Sequence, residues 1–232
     1  MRAGGQTHKG RKRRFPRAEA AVEASAKLRF REESTMSAAT IDLASAVAEG
    51  VPADIAVFSY YRNAEQHGAN LLFRLLKHLD DPDAQIALSQ HLADETRHAW
   101  LWTERIVRAG AKPLVVCDGY QVRMGRQAGM PRDVIDLLAL TVVVEQRALR
   151  RYQQHLRRPN LDADTEQVLK NVTKDEGWHI DWIRKFGRTM AEQKGESKRF
   201  DDAIARYREV DRQVVQHLEA AEQELAGGAT VD

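Results

Sequence analysis

The chain has 232 residues, 43% of them hydrophobic and 30% charged, with a formal net charge of +2 and a single cysteine, Cys117. That size suits one domain with a sizeable core and an extra helix or tail. No apolar run approaches the ~20 residues needed to cross a bilayer, and one cysteine excludes an internal disulfide and fits a reducing cytoplasm.

The near-neutral balance offers no overall field for nucleic acid, but residues 8–17 read His-Lys-Gly-Arg-Lys-Arg-Arg-Phe-Pro-Arg. This basic run lacks apolar periodicity, so residues 1–37 are expected to be a disordered extension. The alternatives are a nucleic-acid or partner-docking arm, or a translation start at Met36. No secretory signal is expected, because the basic start runs into more charge rather than an apolar stretch.

From residue 38 the pattern is helical throughout. A short helix over 38–49 ends at Gly50. Pro52 opens a long helix to about Leu79, and a second runs from about Pro82 to Ala109. Residues 111–130 hold Pro113, Gly119, Gly125 and Gly129 and read as an extended connection. A third long helix spans about 131–158, a fourth about 162–193 and a fifth about 199–225, so the helical domain covers 38–226 and 227–232 form a flexible tail. Two pairs of helices have short joins and should form antiparallel hairpins. The link between the pairs is long enough to run the length of a bundle. The expected fold is therefore all-α: a four-helix bundle of two antiparallel hairpins joined by a long crossover, the ferritin-like connection, with a short N-terminal helix and a C-terminal fifth helix.

In such a bundle each helix buries one stripe of residues spaced three and four apart. The stripes are Phe58, Tyr61, Glu65, Leu72 and Leu76; Leu88, Leu92, Glu95, Ala99, Trp102 and Ile106; Ile135, Leu138, Val142, Glu145, Leu149, Tyr152 and Leu156; and Val168, Val172, Glu176, His179, Ile183, Phe186 and Met190. Each carries a glutamate at its middle. Burying four unpaired carboxylates costs several kcal/mol apiece, and no Lys or Arg lies on the stripes to pair with them. Metal resolves the conflict. Glu95-x-x-His98 and Glu176-x-x-His179 each place two ligands one turn apart on one face, and Glu65 and Glu145 add a carboxylate each. Glu65 to Glu95 is 30 residues and Glu145 to Glu176 is 31, so both hairpins carry their ligands at matching heights. Oxygen and imidazole donors without thiolate favour Fe²⁺, with Mn²⁺ or a mixed pair as alternatives.

Asp94-Glu95-Thr96-Arg97-His98 is similar to the DExRH motif of bacterial multicomponent monooxygenases, and Asp175-Glu176-Gly177-Trp178-His179 is a looser copy. The region 52–193 resembles the ferritin-like di-iron carboxylate superfamily, which includes bacterioferritins, rubrerythrins, ribonucleotide reductase small subunits and MiaE-type tRNA hydroxylases. The resemblance implies two iron ions held by Glu65, Glu95, His98, Glu145, Glu176 and His179. Asp94 and Asp175 are expected to accept the second N–H of a metal-bound histidine; the resemblance points to the histidine of the opposite hairpin, whereas the sequence alone leaves the same helix open. Tyr61, one turn before Glu65, either donates to a ligand or lines the oxygen pocket, or is a core tyrosine. His91 reads as a partly buried bystander rather than a seventh ligand. Trp100, Trp102, Trp178 and Trp182 read as packing, with an electron path as the alternative, and Arg147, Arg150, Arg151, Arg157 and Arg158 as a solvated face.

The functional expectation is a cytoplasmic di-iron oxygenase or oxidase. It would use dioxygen, an unidentified substrate and an external reductase or ferredoxin, since no flavin or nicotinamide fingerprint occurs. It would act as a monomer or small homo-oligomer, with a tRNA base among the candidate substrates. Ferroxidation with iron storage and rubrerythrin-like peroxidation are the alternatives. Against them, Thr96 stands where bacterioferritin-like chains place a haem-ligating methionine, and no Cys-x-x-Cys forms a rubredoxin module.

Overall fold

The computed structural model describes residues 50–228, with side chains as far as Leu218. The expected extension 1–37, the short helix 38–49 and the end of the tail lie outside the described residues. The described part forms six helices and no strands: α1 (Ala53–Leu76), α2 (Pro82–Arg108), α3 (Tyr120–Ala128), α4 (Val134–Leu156), α5 (Ala163–Gln193) and α6 (Ser197–Gly228).

Local chemistry sets the helix ends. Asp81, Asp133 and Asp162 each turn a carboxylate back onto the first turn of α2, α4 and α5, accepting from the amides of Ala84, Asp136 and Thr165. Each cap satisfies a backbone donor that has no partner inside the helix. After α2 and α5 the chain turns at Gly110 (φ 77°) and Gly195 (φ 69°), conformations that side chains with a Cβ disfavour.

Side-chain contacts give the relative directions. Gln85 at the start of α2 reaches the Leu76 and Leu79 carbonyls, while Arg62 early in α1 reaches Thr103 late in α2, so α1 and α2 run antiparallel. Pairs across α2 and α5 run from Arg105–Thr165 at one end to His91–Trp182 at the other, which is again antiparallel. Tyr61–His155 and Glu65–Tyr152 set α1 against α4, and α4 packs closely on α5. These four helices surround a core that includes Phe58, Leu72, Leu88, Trp102, Ile106, Leu138, Val142, Tyr152, Leu169, Val172 and Ile183.

The 111–130 link is not simply extended. Its glycines bracket α3, with Gly119 before it and Gly129 after it, and Tyr120 and Met124 bury one turn apart to anchor it. The segment is tied to α1 by Asn63 Nδ2 donating to the Val116 carbonyl and Gln121 Nε2 to that of Ala64. Helix α6 lies against α4, α3 and α5 and buries Phe200, Ala203, Ile204, Tyr207 and Val214. Gly187 of α5 admits it, because a Cβ there would stand 2.6 Å from the Phe200 ring. Among the described residues no helix is long and apolar enough to cross a membrane.

Candidate metal centre

All six glutamate and histidine side chains expected on the metal converge at mid-height between α1, α2, α4 and α5. Glu65, Glu95 and Glu145 are each 3% exposed, and Glu176, His98 and His179 are wholly buried. Two groups of ligand atoms form within metal-binding reach: Glu65, Glu95, His98 and Glu176, and Glu95, Glu145, His179 and His91. Glu95 belongs to both.

The separations are those of ligands around an ion rather than of hydrogen-bonded pairs. His98 Nδ1 lies 3.5 Å from Glu65 and 3.7 Å from Glu176, and His179 Nδ1 lies 3.6 Å from Glu95 and 3.7 Å from Glu176. Metal bonds of about 2.0–2.2 Å place neighbouring ligand atoms roughly 3–3.6 Å apart. Glu95 Oε1, both carboxylate oxygens of Glu176, and the Nδ1 atoms of His98 and His179 are buried without a hydrogen-bond partner. Buried polar atoms in folded proteins are nearly always paired, and here the orphans point at one another. The donor set and its orphaned atoms fit a bound cation.

The histidines are oriented from outside. His98 Nε2 faces Asp175 Oδ2 at 3.2 Å, and His179 Nε2 faces Asp94 Oδ2 at 3.3 Å, so each aspartate serves the histidine of the opposite hairpin. With each Nε2–H donating to an aspartate carboxylate, each neutral ring turns its Nδ1 lone pair inward. Arg97 joins the two aspartates, reaching Asp94 at 3.0 Å and also Asp175. Partial burial works against ionisation of Asp175, but Arg97 and His98 hold its carboxyl below the usual range.

Protons fill the charge gap in the metal-free chain. Burial, then the neighbouring Glu145 and Glu65 carboxylates, push Glu95 well above the usual range, and burial with Glu145 and Glu95 does the same to Glu176. Burial also opposes ionisation of Glu145, but His91 and His179 outweigh it and hold that carboxyl low. Burial and the adjacent His91 lower His179 to about 4, so its ring is neutral and free to coordinate.

Of three residues beside the centre, Tyr61 takes the core-tyrosine alternative, and Tyr152 and His91 differ from the sequence expectation. Tyr61 does not reach a ligand; its hydroxyl meets His155 Nδ1 at 3.1 Å. The phenol that bonds a ligand is Tyr152, fully buried, donating to Glu65 Oε1, with Tyr61 edge-on behind it at 4.9 Å. Tyr152 lay on the apolar stripe of its helix, where only its hydroxyl hinted at a role. His91 is no bystander. It is wholly buried, stacks on His179 at 3.7 Å, and turns Nε2 toward Glu145 at 3.4 Å and Glu95 at 3.5 Å. Its Nδ1 accepts from the Trp182 indole at 3.3 Å, so the neutral ring carries its proton on Nε2, the atom facing the carboxylates. His91 Nε2 makes no hydrogen bond of its own and, like the Nδ1 atoms of His98 and His179, is an orphaned buried atom in one of the two groups of ligand atoms; with its proton there it is a donor aimed at the carboxylates. The spacing His91-x₃-Glu95-x₂-His98 could have revealed it, since all three share one helix face.

Gly68 was also missed. A Cβ there would lie 2.2 Å from Glu95 Oε2, so the Glu95 carboxylate keeps its place because residue 68 is glycine, and any larger residue would displace it. Two packing assignments also change. Trp100 is 56% exposed rather than packed. Arg147 forks onto Asp211 of α6 at 2.7 and 2.8 Å, and Arg151 lies 4.2 Å over the Tyr60 ring, so the arginines of α4 are not simply a solvated face.

The described part of the chain is thus an all-helical protein with a buried carboxylate–histidine cluster of metal-binding geometry. Compared with protein-family models, with curated proteins and with solved structures, the chain matches none.

Proposed function

We propose that this protein is a non-haem di-iron oxidoreductase of ferritin-like fold that activates dioxygen to oxidise or hydroxylate an organic substrate. The observation that carries the reading is the set of buried, unpartnered ligand atoms on Glu95, His98, Glu176 and His179. The helix directions support the fold: α1 and α5 run one way, α2 and α4 the other, with the long link between α2 and α4. In this reading Glu65, Glu95, His98, Glu145, Glu176 and His179 hold two iron ions, with manganese as the alternative metal. When bound, the pair supplies the redox chemistry, two ferrous ions having two electrons to give to dioxygen.

The chain's own residues do the rest. Asp94 and Asp175 fix the ring orientation of His179 and His98. Tyr152, whose phenol is kept protonated by burial and by the Glu65 carboxylate, holds a proton at Glu65. The surrounding apolar side chains exclude bulk water, which strengthens every charge interaction inside. Electrons are drawn from a separate reductase or ferredoxin.

The test is anaerobic loading with ferrous iron, then a pulse of oxygen, with absorption, oxygen consumption and light scattering on one sample. The proposal expects one oxidation of the bound pair, no further uptake from excess ferrous iron, and a mass of one or a few chains of 26.3 kDa. A shell-sized particle that keeps taking up iron would make it a ferroxidase and store. Indifference to oxygen with rapid oxidation by hydrogen peroxide would make it a peroxidase.

A further inference from the structure

Helix α2 turns Leu88, Glu95, Trp102 and Ile106 to the core and an uncharged face to solvent. Between Ile86 and Thr103 its exposed residues are Ile86, Ser89, Gln90, Ala93, Thr96 and Trp100. None is charged, in a chain whose residues are 30% charged. The outward line of α5, by contrast, carries Lys170, Lys174, Asp181, Lys185 and Arg188, as the back of a solvated helix does. The apolar members of the α2 face recur every seven residues: Ile86, Ala93, Trp100 and Val107, with Ile86 69%, Trp100 56% and Val107 58% exposed. Seven residues make almost two full turns, so these four form one nearly straight seam opposite the buried line. Helix α1 widens it. Phe73, 67% exposed, stands about three turns along the same line from Arg62, the side chain that reaches Thr103 of α2.

We infer that α2 is the interface of a homodimer, in which the α2 helices of two copies pair antiparallel across a twofold axis between Thr96 and Arg97. Paired in this way the seam is complementary to itself, as an interface between identical surfaces must be. Trp100 faces the small Ala93 of the partner subunit, and Ile86 faces Val107 of the partner subunit. A parallel pair would set Trp100 against its own copy and like charges against like at both ends. The antiparallel pair brings Asp83, exposed in the first turn, within a turn of Arg108 of the partner subunit, exposed in the last, and opposes the two helix dipoles. An uncharged centre with an aromatic anchor and polar edges is the composition of protein interfaces, and the seven-residue spacing suits helices crossing at about 20°. Helix α2 has 27 residues, so the seam is about 40 Å long. The axis falls beside Arg97, which joins Asp94 and Asp175. Pairing shields from water the carboxylates that orient both histidines. It needs no metal and stands whatever the centre binds.

The test is light scattering and sedimentation equilibrium on the full chain, metal-free and again after iron loading. Both should give two chains of 26.3 kDa. Ala93→Glu and Trp100→Glu each put a charge into the seam and should weaken association at least about hundredfold, leaving single chains at micromolar concentration. Both positions face solvent within one copy, so helix content by circular dichroism should not change; if one variant loses helix, the other decides. Direction is read with a short bismaleimide on chains in which Cys117→Ser removes the native thiol. Thr96→Cys, beside the axis, should cross-link into covalent dimers, and Val107→Cys, about 30 Å along the seam from its own copy, should not. Any mass other than two chains, or a pair that both glutamates leave intact, overturns the inference. So does cross-linking at residue 107 as readily as at residue 96, the mark of a parallel pair.

Discussion

Gly68 and Glu95 show how closely the backbone is fitted to the ligand set. A methyl group at residue 68 would occupy the place of the Glu95 carboxylate, the one ligand shared by both groups. Gly68→Ala, a helix-favouring change on propensity alone, should therefore weaken metal binding at both positions, with competitive chelator titration as the measurement; unchanged affinity would show that Glu95 is not a shared ligand. His91→Ala separates a donor from a ligand. With Trp182 holding His91 Nδ1, the variant should keep two ions per chain by elemental analysis, whereas loss of one would make His91 a ligand. The six glutamate and histidine positions were legible in the sequence because ionisable groups on apolar stripes are costly and rare. Gly68, Tyr152 and His91 were not. Their roles depend on the neighbouring helix, and spacing along one helix reports only which residues share a face.

At the scale of helices, existence and order followed from periodicity and capping, and most ends fell within three residues of expectation. The exception was α3, where glycines were read as breaking a helix although two of them flank it. The fifth long helix was expected over about 199–225, but its docking is specified by Gly187 of α5 and by Asp211, a buried carboxylate shared by Tyr120, Arg147 and Arg150. A one-helix pattern records neither. Phe200 is 1% exposed against Gly187. Phe200→Ala should therefore cost about 3–5 kcal/mol in urea unfolding of the metal-free chain, and Gly187→Leu should be similarly harmful by overpacking. A cost under about 1 kcal/mol for both would mean that α6 contributes little to the fold.

For the whole molecule, metal and protons compete for one cluster. Burial lowers the affinity of His98 for a proton, but the Glu65 and Asp175 carboxylates outweigh it and raise this group above its ordinary 6.5; Glu95 and Glu176 are raised above their ordinary 4.5. Above their ordinary values, 4.5 for the two carboxyls and 6.5 for His98, the folded metal-free chain then binds more protons at these groups than the unfolded chain, so their contribution to stability falls as pH rises through the folded values. The lowered groups act at lower pH: the stability that Glu145 adds is complete above its ordinary 4.5 and is lost as pH falls toward about 2, and the cost of keeping His179 neutral appears only below its ordinary 6.5. Metal displaces the protons and removes the loss. The gap in melting temperature between iron-loaded and metal-free protein should widen from about pH 6.5 to about pH 8.5; a constant or narrowing gap would contradict this proton balance. The central claim, that the six side chains make two half-sites, is tested most directly by counting iron. After anaerobic loading and removal of excess metal, the wild type should retain about two Fe per chain, and Glu145→Ala and His179→Ala one or fewer. Unchanged iron content in both variants, or no retained iron in the wild type, would contradict it.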